Sequence, residues 1–235
     1  MSLHSTPSTH PAEPVDVQRL EEEQHTRFWV ILIAASAVVL LVVGVTVGML
    51  RSGGGGDGGP GAAIELAQPI VMPDVTLVDT DGQPYDLAAE SEGRVTLLYF
   101  GYLACPDACP IHMAVLSKVF EAMPSDVRED VDVVFITTDP DRDGPEELRT
   151  YLDRFDPTFI GLTGDPNELV AAQIAAGVPV AVAESADEDG NYLVGHATQV
   201  LVFDRDGVAR VVYPFGVRQS DWMKDLPEIV AANDA

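Results

Sequence analysis

The sequence predicts an α/β sandwich built on a mixed sheet, and three observations carry that expectation. Val95–Phe100 and Val131–Thr137 are apolar, β-rich runs without polar alternation, the pattern of strands covered on both faces. Segments of helical periodicity lie between and after them, and strands alternating with helices define the class. A late pair of apolar runs flanks Asp204-Arg205-Asp206-Gly207, a hairpin signal that adds antiparallel strands to the sheet.

Several segments precede the domain. Residues 1–27 are polar, contain proline and the acidic run Glu21–Glu23, and lack apolar periodicity; a disordered cytoplasmic tail is expected. Its histidines, His4, His10 and His25, are too irregularly spaced to form a metal tract. Residues 28–50 (Phe28–Leu50) hold no charge and exceed the ~20 residues a transmembrane helix needs. Trp29 stands near one end, where an indole suits the headgroup level. A cleaved signal peptide has an apolar core of only about 7–15 residues, and no A-x-A site follows this run. An uncleaved single-pass anchor is therefore expected, and a lipid-modified cysteine is excluded because no cysteine occurs before Cys105. Arg19 and Arg27 precede the span and Arg51 follows it, which places the N-terminus in the cytoplasm. Residues 51–61, RSGGGGDGGPG, read as a flexible tether. Residues 62–235 then form an extracytoplasmic domain, in a compartment where disulfides persist.

Within the domain, Val75–Val78 and Tyr85–Leu87 flank Asp79-Thr80-Asp81-Gly82 and predict an edge hairpin. Val95–Phe100 is the first buried strand. Pro110–Met123 carries Ile111, Val115, Val119 and Ala122 at helical spacing. Val131–Thr137 is the second buried strand. Pro145–Phe155 reads as an amphipathic helix with proline in its first turn. Phe159–Leu162 is a short strand, and Pro166–Ala176 a helix ending before Gly177. Thr198–Phe203 and Val208–Val212 form the late hairpin, and Ser220–Ala232 a closing helix interrupted by Pro227.

Charge narrows the function. A formal net charge of -25 and a pI near 4.2 argue against a nucleic-acid partner, which needs clustered Lys and Arg. The acids are dispersed, as on a solvated surface. The chemistry instead concentrates in YFGYLACPDACP, Tyr99–Pro110, which holds the only two cysteines of the chain. A strand running into a cysteine-bearing turn and then a helix is the thioredoxin-like arrangement. Cys105 falls in the turn and Cys109 in the first helical turn, so both sulfurs can meet at one mouth. The helix N-terminus is expected to favour their thiolate form. The spacing has three intervening residues, one more than the common redox pair, and a longer loop lets sulfurs spread around a metal. Two soft thiolates suit Cu(I), and one added imidazole makes a set able to hold either oxidation state of copper. Two histidines of the domain are candidates: His112 on the same helix, and His196 in YLVGHAT before a late strand.

Three ordered blocks, FGYLACPDACP, ITTDPDRDGPEELRTYLDRFDPTFIGLTGD and YLVGHATQVLVFDRDG, resemble the Sco/SenC family. Its members are membrane-anchored, thioredoxin-like copper proteins that help assemble the CuA centre of cytochrome c oxidase. The likeness covers the chain from about Ile70 onward. It implies that Cys105 and Cys109 are copper ligands with His196 as the third. It further implies cytochrome c oxidase subunit II, or another copper-receiving protein, as partner, and a copper donor or thiol reductase upstream. Two departures stand out. Leu103-Ala104 occupy places where the family often has Thr-His, and Gly195 and Ala197 flank the histidine where Asp and Ser are usual. Loss of that Asp removes an acceptor that would orient the imidazole.

The rival function is a thiol–disulfide oxidoreductase in which Cys105 attacks and Cys109 resolves, with the oxidase's copper-site cysteines as substrate. A peroxidase of the peroxiredoxin type lacks its expected Thr, since Tyr102 and Leu103 occupy the relevant places. A purely structural disulfide over so short a loop removes little chain entropy. Among other residues, Asp107 is expected to cap the cysteine helix and Met113 to pack in the core. Tyr102 is expected to shape the mouth. Asp139 either orients the site loop or ends its strand in a turn with Asp141. The acidic Glu184–Asp189 reads as a solvated hairpin tip.

Overall fold

The computed structural model describes residues 62–188 and 190–232. The strands in chain order are β1 (Ile64–Val71), β2 (Thr76–Val78), β3 (Pro84–Asp86), β4 (Val95–Gly101), β5 (Val131–Thr137), β6 (Ile160–Leu162), β7 (Val182–Ala183), β8 (Val194–Gly195), β9 (Val200–Phe203) and β10 (Val208–Tyr213). The helices are α1 (Leu87–Glu90), α2 (Ala108–Ala122), α3 (Ser125–Glu129), α4 (Pro145–Leu152), α5 (Pro166–Ala175) and α6 (Gln219–Ala232). The tail, the span expected at residues 28–50 and the tether lie outside the described residues. Among the described residues no helix is long and apolar enough to cross a membrane.

Six strands form the main sheet in the order β1-β10-β9-β4-β5-β6. The pairs β4–β5 and β5–β6 are parallel, while β9 runs antiparallel to β4 and β10 to β9. The mixed sheet expected from the sequence is therefore present. Strand β4 is buried along its whole length because its alternate side chains feed two cores. Leu97 and Tyr99 join Met113 and Leu116 of α2, Leu148 of α4 and Trp222 of α6 on one face. Leu98 and Phe100 join Leu77, Leu87 and Leu169 on the other. Period-two alternation with apolar side chains directed to both faces needs a covering layer on each side.

Differences from the sequence reading have local causes. The β2–β3 hairpin forms, turning at Gly82 with φ +74°, but it is a separate two-stranded sheet, not an edge of the main one. Its one backbone bridge toward that sheet among the described residues joins Val78 to Thr163, and Leu77 packs beneath β4. The main sheet ends in β6 on one side and β1 on the other, and β1, IELAQPIV, carries a Pro69 and mostly exposed side chains that hide its strand character. An edge strand tolerates proline because one side needs no ladder, and its pairing with β10 is irregular between Glu65 and Ile70. Pro227 does not interrupt the last helix, which runs through it.

Candidate metal centre

Parallel strands β4 and β5 end side by side, with Gly101 opposite Thr137. The chain leaving β4 turns back on itself through a bond from the Cys105 amide to the Tyr102 carbonyl (3.2 Å). Helix α2 then starts at Ala108 and places Cys109 in its first turn, fully buried, beneath the half-buried Cys105. Strand β9 pairs antiparallel with β4, Val200 opposite Tyr99. The residues just before β9 must therefore pass the end of β4, and His196 is among them. This topology brings a residue 87 positions away in sequence to within 3.5 Å: His196 Nε2 lies that far from Cys109 Sγ. The donor atoms of Cys105, Cys109 and His196 all lie within 4.8 Å of one another, the one such group of three among the described residues.

The imidazole is oriented by its own chain. His196 Nδ1 stands 2.7 Å from the Ala197 carbonyl oxygen; a carbonyl only accepts, so Nδ1 carries the proton and Nε2 keeps its lone pair toward the sulfurs. Gly195 offers the ring no side-chain acceptor, and the backbone supplies one. The rings of Tyr102 and Tyr99 meet His196 edge-on at 5.4 and 6.0 Å, so Tyr102 does wall the mouth. The Tyr99 hydroxyl donates to Cys109 Sγ at 3.6 Å. Burial and the nearby sulfurs raise the pKa of Tyr99, so the hydroxyl stays a donor at neutral pH.

Helix position does not make Cys109 a thiolate. Burial pushes its thiol up to about 12, with Cys105 adding to the rise, while the Tyr102 backbone and the Tyr99 hydroxyl offset only part of it. Desolvation outweighs the helix end because this sulfur has no contact with water. The expectation of a helix-stabilised thiolate is corrected here for Cys109. Both cysteines are free thiols in this structure.

His112 is not part of the group. It is buried against Tyr99 and Phe215, with ring centroids at 5.0 and 5.4 Å, and burial lowers its pKa. Met113 packs in the core as expected. Asp107 stands at the N-cap of α2, but its side chain makes no capping bond, so that expectation fails. Asp139 is buried and begins the turn through Asp141 that follows β5, its carbonyl accepting from the Arg142 amide at 3.1 Å, while its carboxylate accepts from Tyr192 and Arg142. Sequence reasoning missed Asp143. Its buried carboxylate accepts from the Leu103 amide (3.0 Å) and the Thr137 hydroxyl (2.6 Å). It thereby pins the cysteine loop to the end of β5. Nothing in spacing singles it out; the one signal was its place inside the ITTDPDRD block.

A thioredoxin-like α/β domain that gathers two thiols and an imidazole at the mouth of its first buried strand defines a class of thiol-based metal or redox proteins. Within that class the chain belongs to the SCO1/SenC family, whose model matches residues 65–231. It is 34% identical over 165 residues to a protein described as copper-binding from Stutzerimonas stutzeri, covering 70% of this chain and 79% of that one. It is also 34% identical to a SCO2-like protein of Rickettsia felis, over 57% of this chain and 64% of the relative. Among solved structures, it is similar to Bradyrhizobium japonicum ScoI with copper bound. The TM-score is 0.62 at 32% identity, covering 68% of this chain and 99% of that one. Apo Sco1 of Thermus thermophilus gives a TM-score of 0.65 at 30% identity, covering 74% and 99%.

Proposed function

We propose that this chain binds one copper ion through Cys105, Cys109 and His196 and passes it to a partner by ligand exchange. The observation that carries the reading is the convergence of the three donor atoms within 4.8 Å, with the imidazole lone pair already aimed at the sulfurs. The donor set fits copper: two thiolates satisfy Cu(I), and the added nitrogen extends the site to Cu(II). Similarity to a ScoI solved with copper bound supports the choice of metal. The recipient in this reading is the CuA centre of cytochrome c oxidase subunit II, and the protein is a metallochaperone. Residues 28–50 would anchor it in the cell membrane with residues 62–235 on the outer side and residues 51–61 as tether.

A second reading, thiol–disulfide exchange toward the copper-site cysteines of the oxidase, draws on one asymmetry. Cys105 is half-buried and Cys109 fully buried, the arrangement of an attacking and a resolving thiol. Copper titration of the reduced protein, run beside His196→Ala, separates the two. The metal reading expects one copper per chain, a strong sulfur-to-Cu(II) charge-transfer band, and its marked loss in the variant. Absence of copper uptake by the reduced protein would favour exchange chemistry.

A further inference from the structure

The segment that carries His196 is weakly built by itself. Its hairpin has two strand-paired residues on each side, Val182–Ala183 against Val194–Gly195, and two backbone bonds nearer the tip, Glu184 to Leu193 and Asp187 to Asn191; two-stranded ribbons are marginal alone. Val182 and Leu193 are exposed, so apolar burial rests on Val194, which is buried in the core near the Tyr102 hydroxyl, with Ala181 and Tyr192 only partly buried against that core. Tyr192, four residues before His196, is further gripped by the turn that follows β5. The Arg142 guanidinium lies over the Tyr192 ring, 3.6 Å from its centroid. Its Nη2 donates to the Tyr192 carbonyl at 3.2 Å, and its Nε pairs with Asp139 Oδ2 at 2.5 Å. The Tyr192 hydroxyl closes the circuit by donating to Asp139 Oδ1 at 2.7 Å. One tyrosine is thus held by its ring face, its carbonyl and its hydroxyl, all from the turn that follows β5, the strand paired with β4.

We propose that Arg142 is a positioning residue for His196: by clamping Tyr192 it holds the imidazole arm over the two sulfurs and so sets the preference of the site for Cu(II) over Cu(I). The inference rests on the three-donor reading given above. Its chemical basis is that the two oxidation states ask for different donors. Cu(I) is content with two thiolates, whereas Cu(II) needs the nitrogen. Loosening the arm therefore weakens Cu(II) selectively, while a general loss of structure weakens both. Asp139 is 5% and Arg142 29% exposed, so their ion pair is partly shielded and is screened less than an exposed one. Only Arg provides this combination, because its planar fork stacks on a ring while its edge donates twice.

The test compares Cu(II) and Cu(I) affinities of the full chain as wild type, Arg142→Ala, Arg142→Lys, Tyr192→Phe and His196→Ala. Arg142→Ala is expected to lose about tenfold or more in Cu(II) affinity, with a weakened charge-transfer band, while Cu(I) affinity moves by no more than about twofold. Lysine keeps the charge beside Asp139 without the fork and should restore part of the loss. Tyr192→Phe keeps the stacked ring and loses one hydrogen bond; it should shift in the same direction by less. Should Arg142→Ala not fold, this milder variant decides. In the metal-free protein, amide exchange at residues 193–197 should quicken in Arg142→Ala. Equal losses for both oxidation states, or wild-type Cu(II) affinity in Arg142→Ala while His196→Ala loses it, would overturn the assignment. A wild type without the charge-transfer band, or a His196→Ala variant that keeps it, would instead sink the three-donor reading and the clamp with it.

Discussion

Gly101 shows how closely the site is fitted at the level of single atoms. A Cβ there would stand 2.8 Å from Cys109 Sγ and 2.9 Å from Phe135 Cε2, so the last residue of β4 must lack a side chain for the sulfur to sit where it does. Cys109 itself carries a pH prediction. Burial holds its thiol near 12, so the metal-free protein binds a proton there throughout the neutral range. A copper ion needs the thiolate and must displace that proton. Affinity for Cu(I) should therefore rise with pH, by about tenfold per unit for this one proton, and level off only near the thiol's own pKa. Cu(I) competition titrations between roughly pH 6 and 8 check it; a flat profile would mean that Cys109 is already ionised or takes no part. The sequence showed the two cysteines and offered His112 and His196 as partners, because thiol and imidazole chemistry is visible in residue types. It did not show the Tyr99 hydroxyl on Cys109 or the Asp143 carboxylate under Leu103. Those contacts depend on where β4 and β5 end in space, which no local pattern encodes.

At the scale of elements, legibility followed burial. Strands β4 and β5 are covered on both faces and read as mostly apolar runs, interrupted only by Thr96 and Asp132 before their last residues, and the run Val131–Thr137 matches the observed bounds of β5. Elements that bury little left weak signals: β1 is an exposed edge, and β7 and β8 are two residues each. Helix α6 was read as broken at Pro227, yet it is fastened from outside its own hydrogen bonds. Trp222, 1% exposed, stacks on Tyr213 with centroids 3.9 Å apart, and the Tyr213 hydroxyl donates to Asp225 at 2.8 Å. Gln219 reaches the Lys118 carbonyl of α2 at 3.0 Å. Tertiary packing of this kind outweighs the loss of one backbone bond at a proline. Trp222→Ala should accordingly cost about 3–5 kcal/mol, the range for deleting a large buried aromatic. Chemical denaturation measures it. A loss below about 1 kcal/mol would show that α6 is held by something other than this stack.

For the molecule as a whole, charge sets a balance whose sign can be worked out. The chain has 38 acidic and 13 basic side chains. Ion pairs do form, among them Arg94 with Asp132, Arg128 with Asp156 and Arg205 with Asp130. Pairs of this kind at the surface contribute about 0–1 kcal/mol each and weaken as salt is added. Residues 62–235 hold 32 of the acids and 10 of the bases, so even if every base there were paired once, 32 − 10 = 22 acids would remain without a cation, and their mutual repulsion opposes the compact state. Salt relieves that repulsion, since the screening length falls from about 30 Å at 0.01 M to about 8 Å at 0.15 M. The two effects oppose each other, and the excess of acids decides between them. The melting temperature of the metal-free protein should therefore rise between roughly 0.01 and 0.15 M NaCl, measured at pH 7 where the carboxylates are ionised. A fall over the same range would mean that the paired arginines, and not the surplus acids, dominate the electrostatics of the fold.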